Sequence, residues 1–259
     1  MSQLPTELGP SDTRPLHARI AADLREEIMS GELPPGAKLP STVQLKARFN
    51  AANATIQKAL LLLKEEGLVI GRAGAAVTVR ETRQRTVRPA GSLAAAAPGG
   101  SFPWLQEAAE PGRDARSELL SVAPVRVAGD VAAALAISAG SSAMLRRQLI
   151  SVDGEPAELV NSYYPMEVAD GTPLAEARRI RGGTPTLLTE LGHPPRLSVD
   201  RVSARIATQE QYTALRLSGD LPVLRTLRTV YDADDRPVEV TVMVKAGHLY
   251  ELQYAFVPE

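Results

Sequence analysis

Residues 15–69 read PLHARIAADLREEIMSGELPPGAKLPSTVQLKARFNAANATIQKALLLLKEEGLV, and the order of signals in this stretch sets the fold class of the N-terminal part. Leu16, Ile20, Leu24 and Ile28 recur every fourth residue, a spacing that stacks side chains on one helical face, and Gly31 follows as a stop. Pro34, Pro35 and Gly36 make a turn. Ser41 opens a second helix, with Gln44 three residues on to complete a capping box, and Leu45 and Phe49 are its apolar positions. A short break at Asn50–Ala52 leads to a third helix, whose buried stripe is Ile56, Ala59, Leu60 and Leu63 and whose end is Gly67. LVIGRAGAAVTV, residues 68–79, then reads as two short strands around a glycine-containing turn.

Helix, helix, tight break, helix, hairpin is the order of a winged helix-turn-helix, in which the helix after the break enters the major groove. On that helix Asn53, Thr55, Gln57, Lys58 and Lys64 lie off the apolar stripe. Side chains of these types hydrogen-bond base edges or phosphates. Asn53, Thr55, Gln57 and Lys58, with Ser41 and Lys46 of the second helix and Arg72 of the wing, are the candidate DNA-binding residues. The same pattern also suits a three-helix packing module with a solvated polar face.

Outward from this segment the texture changes. Residues 1–13 are polar and proline-containing, with no signal-peptide pattern, and read as a disordered arm before a DNA-binding domain at 14–81. Residues 82–117 carry GSLAAAAPGGSFP and read as a linker. Residues 118–259 show strands at short spacing with a few helices between them, and no internal repeat is visible. MLRRQLISV and PAELVNSYY flank Asp153-Gly154-Glu155, a hairpin signal; VLRTLRTVY and PVEVTVMVK flank a second hairpin at 232–236. Thr208 with Gln211 caps a short helix, and residues 129–137 form another. In the second hairpin Val238, Val240, Val242 and Val244 point one way and Glu239, Thr241, Met243 and Lys245 the other. An isolated strand of that kind is half exposed to solvent.

Composition narrows the function classes. The 259 residues suit two ordinary domains, and 44% apolar residues suffice for real cores built on Leu, Val, Ile and Ala, since aromatics are only 4%. The absence of cysteine excludes disulfides, thiolate zinc sites and cysteine nucleophiles, and fits a reducing cytoplasm. No apolar run reaches the length of a membrane span. The net charge of −1 does not itself point to nucleic acid, although bases modestly exceed acids between Arg14 and Arg80. His17, His193 and His248 lie far apart without metal-ligand spacing, no Ser/His/Asp constellation is apparent, and no glycine-rich phosphate loop follows a strand. No catalytic residue, metal or cofactor is therefore assigned.

The segment from Pro15 to Val69 resembles the DNA-binding domain of the GntR family, most specifically over Met29–Ser41. That resemblance implies a dimer bound to an operator. This chain departs from the family pattern at Thr42 and Val43, where an acidic residue and Arg are usual, and at Ala52-Asn53, where Ser-Arg is usual. Gln57 stands in place of a second Arg, and the wing 72–77 reads RAGAAV instead of Arg-Gln-Gly-x-Gly-Thr. Each lost bidentate guanine contact removes roughly 1–3 kcal/mol of discrimination, so either the operator differs from the usual family sequence or the head binds weakly; the intact hydrophobic framework and remaining polar readers favour a different operator. LRRQLISVDGEPAELVNSYYP, LLTELGHPP, RVSARIATQEQYTALRL and VLRTLRTVYDADDRPVEVTVMV resemble the effector domain of the HutC branch, called UTRA, whose fold is like chorismate lyase.

From that resemblance Glu239, Thr241, Glu158 and Ser162 face a ligand cavity, together with one of Arg146 and Arg147, because adjacent strand residues point to opposite faces. Gln148 and Ile150 occupy positions where sugar-phosphate binders of the family carry arginines. Arg201 and Arg205 serve either an anion or surface ion pairs. The expected protein is an α+β, cytoplasmic, homodimeric transcriptional regulator, a repressor by the family default. Its partners are double-stranded operator DNA and a small-molecule effector, with no membrane partner. The alternatives are a dimeric DNA-binding or structural module with a degenerate pocket and, further off, a lyase-like enzyme.

Overall fold

The computed structural model describes residues 12–71, 76–81, 84–88, 114–127, 129–180, 182–219 and 221–255. The chain divides into two compact units, Met1–Arg83 and Gln84–Glu259.

In the first unit, α1 (Leu16–Ser30), α2 (Thr42–Phe49) and α3 (Asn53–Glu65) bury the stripes read from the sequence: Ile20, Leu24 and Ile28 against Leu45 and against Ile56, Ala59, Leu60 and Leu63. Leu16 is an exception at 37% exposed, because it lies one turn before the first buried position of α1. Gly31 ends α1 in the left-handed region at φ 89°, where an L side chain is strained. The Ser41–Gln44 capping box forms in both directions. Asn50 turns the chain left-handed at φ 45° and gives its N–H to the Lys46 carbonyl, so α2 stops sharply and α3 starts after two more residues. Arg25 of α1 binds Glu66 at the end of α3 through two hydrogen bonds of 2.9 and 2.6 Å. Phe49 is half-buried beneath the Arg48 guanidinium, 4.7 Å from its ring centroid.

Strands β1 (Val69–Ile70) and β2 (Thr78–Val79) pair antiparallel as the wing. Residues 36–39 flank β2 on its other side, with Leu39 N–H on the Val77 carbonyl (2.8 Å) and Val79 N–H on the Ala37 carbonyl (2.8 Å). The Pro-Pro-Gly turn thus launches a third edge of the wing sheet. Arg72 lies outside the described residues, as do residues 1–11 of the arm.

The second unit is built on one antiparallel sheet. Its strands are β4 (Ala115–Arg126), β5 (Ser142–Val152), β6 (Glu155–Pro165), β7 (Leu197–Ile206), β8 (Pro222–Tyr231) and β9 (Pro237–Ala246), in spatial order β4-β5-β6-β9-β8-β7. Both predicted hairpins form. Asp153 and Gly154 adopt φ 53° and 79°, as a two-residue hairpin turn requires. The Asp232 carboxylate accepts the N–H groups of Asp234 and Arg236 at 3.0 Å each.

The linker reading of 82–117 needs correction at both ends. Strand β3 (Arg85–Val87) pairs in parallel with β10 (Tyr250–Leu252), and β4 already begins at Ala115. A strand of three residues is too short to carry a period, and its partner lies more than 160 residues away, so nothing local announces it. Residues 89–113 lie outside the described residues.

An internal repeat, not visible in the sequence, is present in the structure. Strand, short helix, strand, hairpin, strand occurs at β4–β6 with α4 (Gly129–Ala134), and again at β7–β9 with α7 (Gln209–Ala214). The left-handed residues Ala136 (φ 55°) and Arg216 (φ 48°) sit at equivalent points, inside ALAIS at 134–138 and ALRLS at 214–218. Equivalent register shifts follow at Ile150/Ser151 and Val230/Tyr231. So few residues are shared that the repeat lives in geometry and face pattern.

The sheet is covered on both faces. On one, Val131, Ala132 and Leu135 of the α4 region and Leu215 after α7 pack on Leu159, Leu227, Val240, Val242 and Val244. On the other, α5 (Met166–Ala169), a 3-10 turn (Pro173–Ala175) and α6 (Thr184–Glu190) pack Val168, Leu174, Leu187 and Leu188 on Met144, Tyr164 and Val230. Val238 joins this second cluster, against the alternation, because it lies at the β8/β9 register shift. β9 is therefore buried on both sides, and the half-exposed reading of its polar face does not hold.

Candidate functional site

The polar face of the sheet, together with Arg179, Ile180, Thr184 and Pro185, lines a cavity of about 220 Å³ within the second unit. Alternation decides what enters it. From β5 come Arg146, Gln148 and Ile150; from β6 Glu158, Val160 and Ser162; from β8 Thr226, Arg228 and Val230; from β9 Glu239, Thr241, Met243 and Lys245. The β5 and β8 triplets occupy equivalent positions of the internal repeat.

Of Arg146 and Arg147, Arg146 is the one on this face. It is 2% exposed and donates Nη1 to the carbonyls of Leu174 (2.9 Å) and Glu176 (2.8 Å), and Nη2 to that of Arg178 (2.6 Å). Burial lowers its pKa, against the raising influence of Tyr164 and Glu176. Arg147, also a candidate, points to the opposite face, where it binds Asn161 Oδ1 (3.0 Å) and pairs with Glu210 of α7. It is removed from the cavity set by the strand period of two.

Glu158, Ser162, Glu239 and Thr241 all line the cavity, as expected. Ser162 Oγ and Thr241 Oγ1 lie 2.9 Å apart. Glu239 Oε1 accepts from Thr241 Oγ1 (2.7 Å) and from the Tyr164 hydroxyl (3.1 Å). Burial raises the Glu239 pKa, opposed by its hydrogen bonds and by Arg228. Glu158 differs from the reading as an open acceptor, because its carboxylate is ion-paired with Lys245, opposite it on β9.

Sequence reasoning missed the second ion pair in the wall. Asp200 of β7 receives Arg228 of β8 through bonds of 2.7 and 2.8 Å. The two are register partners, and that pairing is not local in sequence. Lys245 was legible as facing the same way as Glu239, but its partner was not. Arg201 is exposed, and Arg205 lies 3.5 Å from Asp130 in a surface ion pair, so neither lines the cavity.

In the first unit Asn53, Gln57 and Lys58 are exposed along α3 and Thr55 is half-buried. Gln57 Nε2 lies 3.4 Å from Thr42 Oγ1 of α2. Lys46 is exposed on α2, and the Ser41 hydroxyl, also exposed, accepts the Gln44 N–H as helix cap. The fold thus presents the polar side of the helix after the break to solvent, as groove entry requires.

Comparison with known proteins agrees with both units. Residues 16–79 match the family of bacterial regulatory proteins named gntR, and residues 110–251 match the UTRA domain. An HTH-type transcriptional regulator of Streptomyces coelicolor is 26% identical over 251 residues, covering 93% of each chain. The HTH-type transcriptional regulator GgaR of Escherichia coli is 24% identical over 255 residues, covering 96% of this chain and 94% of its own. A solved structure assigned to the GntR-family transcriptional regulators has a TM-score of 0.61 and 25% identity over 95% of this chain and 99% of that one. PhnF of Mycobacterium smegmatis shares the fold, with a TM-score of 0.56, 17% identity, and coverage of 93% and 100%. The chain belongs to the GntR family of DNA-binding transcriptional regulators, among the members whose effector domain is a UTRA domain.

Proposed function

We propose that the chain is a homodimeric repressor that reads a two-fold symmetric operator with two heads and leaves it when a small effector fills the cavity. The observation that carries this reading is a cavity with buried Arg146, Glu158 and Glu239 in its wall, in a chain whose other unit presents the polar side of the helix after the break. A degenerate pocket would be filled by apolar side chains rather than walled by Arg146, Glu158, Arg228 and Glu239. Asn53, Thr55, Gln57 and Lys58 would read or steer on the duplex, with Ser41, Lys46 and Arg72 as further backbone contacts. By reciprocity, operator DNA weakens effector binding by the factor with which effector weakens DNA binding.

Self-association is supported by the edge strand β7. The other edge, β4, is interrupted by a register shift at Leu119/Ser121 and by Pro124, both of which discourage strand addition. β7 has neither, and exposes Val199, Val202 and Ile206. A catalytic role is not proposed: the Glu158 and Asp200 carboxylates are held in ion pairs, and His193 Nδ1 lies 3.1 Å from Asp232 at a hairpin turn. No helix among the described residues is long and apolar enough to cross a membrane, and a cytoplasmic location beside DNA is part of the proposal.

The test is to sequence DNA recovered with the protein and to titrate the recovered site by fluorescence anisotropy over a range of salt. Lys58→Ala should weaken binding to every sequence and reduce the slope of log K against log salt by about one unit. An unchanged slope removes Lys58 from the interface, and recovery of no enriched site refutes operator reading.

A further inference from the structure

The charges around the cavity do not all await a ligand. Glu158 is neutralised by Lys245, and Asp200 by Arg228, so both pairs are satisfied within the wall. What remains among the described residues is one buried cation, Arg146, one carboxylate, Glu239, and the exposed Arg179, which also lines the cavity. Among the described residues Arg146 hydrogen-bonds only neutral carbonyls; the carboxylate that influences it, Glu176, is exposed and paired with Arg178. Its three donated bonds use both hydrogens of Nη1 and one of Nη2. That leaves Nε–H and one hydrogen of Nη2 without a partner among the described residues, two donors that an oxyanion can accept. Glu239 uses one oxygen for two hydroxyl donors and has no cation in hydrogen-bond contact among the described residues. Arg146 and Glu239 line the same cavity two strands apart: Arg146 is the register partner of Ser162 and Ser162 that of Thr241, whose hydroxyl donates to Glu239. A buried charge without a counter-charge is costly, and a ligand that supplies the complement removes that cost.

Resting on the reading of this cavity as the effector site, we infer that the effector joins one oxyanion group, bound by Arg146, to an ammonium or hydroxyl donor received by Glu239. The cavity, about 220 Å³ and partly open, suits a small effector. Dicarboxylates whose second anion reaches Glu239 are rejected, because like charges then meet in the wall. Neutral polyols are weak, because they leave Arg146 without an anion.

The experiment is a thermal-shift and calorimetric titration of the full chain. The probes are amino- and hydroxycarboxylic acids of about four to eight carbons, chosen to fit that volume, and phosphate monoesters of amino alcohols. Controls are the methyl esters, N-acetyl derivatives, plain alkanoic acids and dicarboxylic acids of matched length. Compounds with both groups should raise Tm, and loss of either group should abolish the shift. The carboxylate and phosphate arms distinguish which oxyanion is taken. Glu239→Gln should weaken the ammonium compounds by about 10- to 100-fold, the range for a hydrogen bond to a charged group. Val160→Phe, or Met243→Trp if the first variant folds poorly, fills the cavity and should abolish every shift. If a folded cavity-filling variant binds as well as wild type, the site reading itself fails. If it blocks binding while dicarboxylates or plain alkanoates bind as tightly as the amino acids, or Glu239→Gln changes nothing, the site stands and the ligand class is wrong. A panel with no stabilising member also overturns the inference.

Discussion

Lys245→Met separates a carboxylate that waits for a ligand from one that holds the sheet together. Glu158 and Lys245 are register partners on the central strands β6 and β9, 5% and 6% exposed, and ion-paired. Removing the ammonium leaves Glu158 with an uncompensated charge in a nearly dry wall, and breaking such a pair costs about 3–5 kcal/mol. In a unit of this size each kcal/mol moves the melting point by about 2–4 °C, so the variant should melt roughly 6–20 °C below wild type. The double variant Glu158→Leu/Lys245→Met should recover most of that loss, because a well-packed apolar pair avoids the desolvation of both charges. Differential scanning calorimetry of the full chain reads the change. Hydrogen exchange at β6 and β9 amides assigns it to the second unit, and α1–α3 amides should be unaffected. A single variant within about 2 °C of wild type, against the loss expected from, would refute the claim that the pair is structural. A double variant no more stable than the single would refute the desolvation argument.

Two further outcomes are open to direct measurement. Burial raises the Glu239 carboxyl above its ordinary 4.5, against the lowering effect of the Thr241 and Tyr164 hydroxyls and of Arg228. The folded state then keeps a proton that the unfolded chain releases, so this contribution is full below the ordinary value and is lost as pH rises through the raised one. Glu239→Gln should therefore gain on wild type in Tm as pH increases from about 4.5, with the curves converging below it; a constant difference across pH would contradict the buried placement. Leu60 is 9% exposed in the α1–α3 core, and Leu60→Ala should cost the first unit about 2–5 kcal/mol in urea denaturation. An unchanged midpoint would mean that the phase of α3 is wrong.

What the sequence determined by itself is what depends on neighbours a few residues apart. The apolar spacing of α1 and α3, the Ser41–Gln44 and Thr208–Gln211 capping boxes, the Gly31 stop and the two hairpin turns all rest on local backbone chemistry, and each appears where its residues are written. Alternation also separated Glu239, Thr241 and Lys245 from the valines of β9. The tertiary structure alone decided partners. Which of Arg146 and Arg147 enters the cavity depends on which face of β5 the loop 174–178 covers, and that loop lies some thirty residues further along the chain. Glu158 changes from acceptor to ion pair because β6 lies beside β9, 87 residues on, and Arg228 meets Asp200 because β7 and β8 share a register. The β3–β10 pair and the internal repeat were hidden for the same reason. Strand pairing is a non-local choice made by closure of the whole sheet, and no window of sequence contains both partners of such a contact.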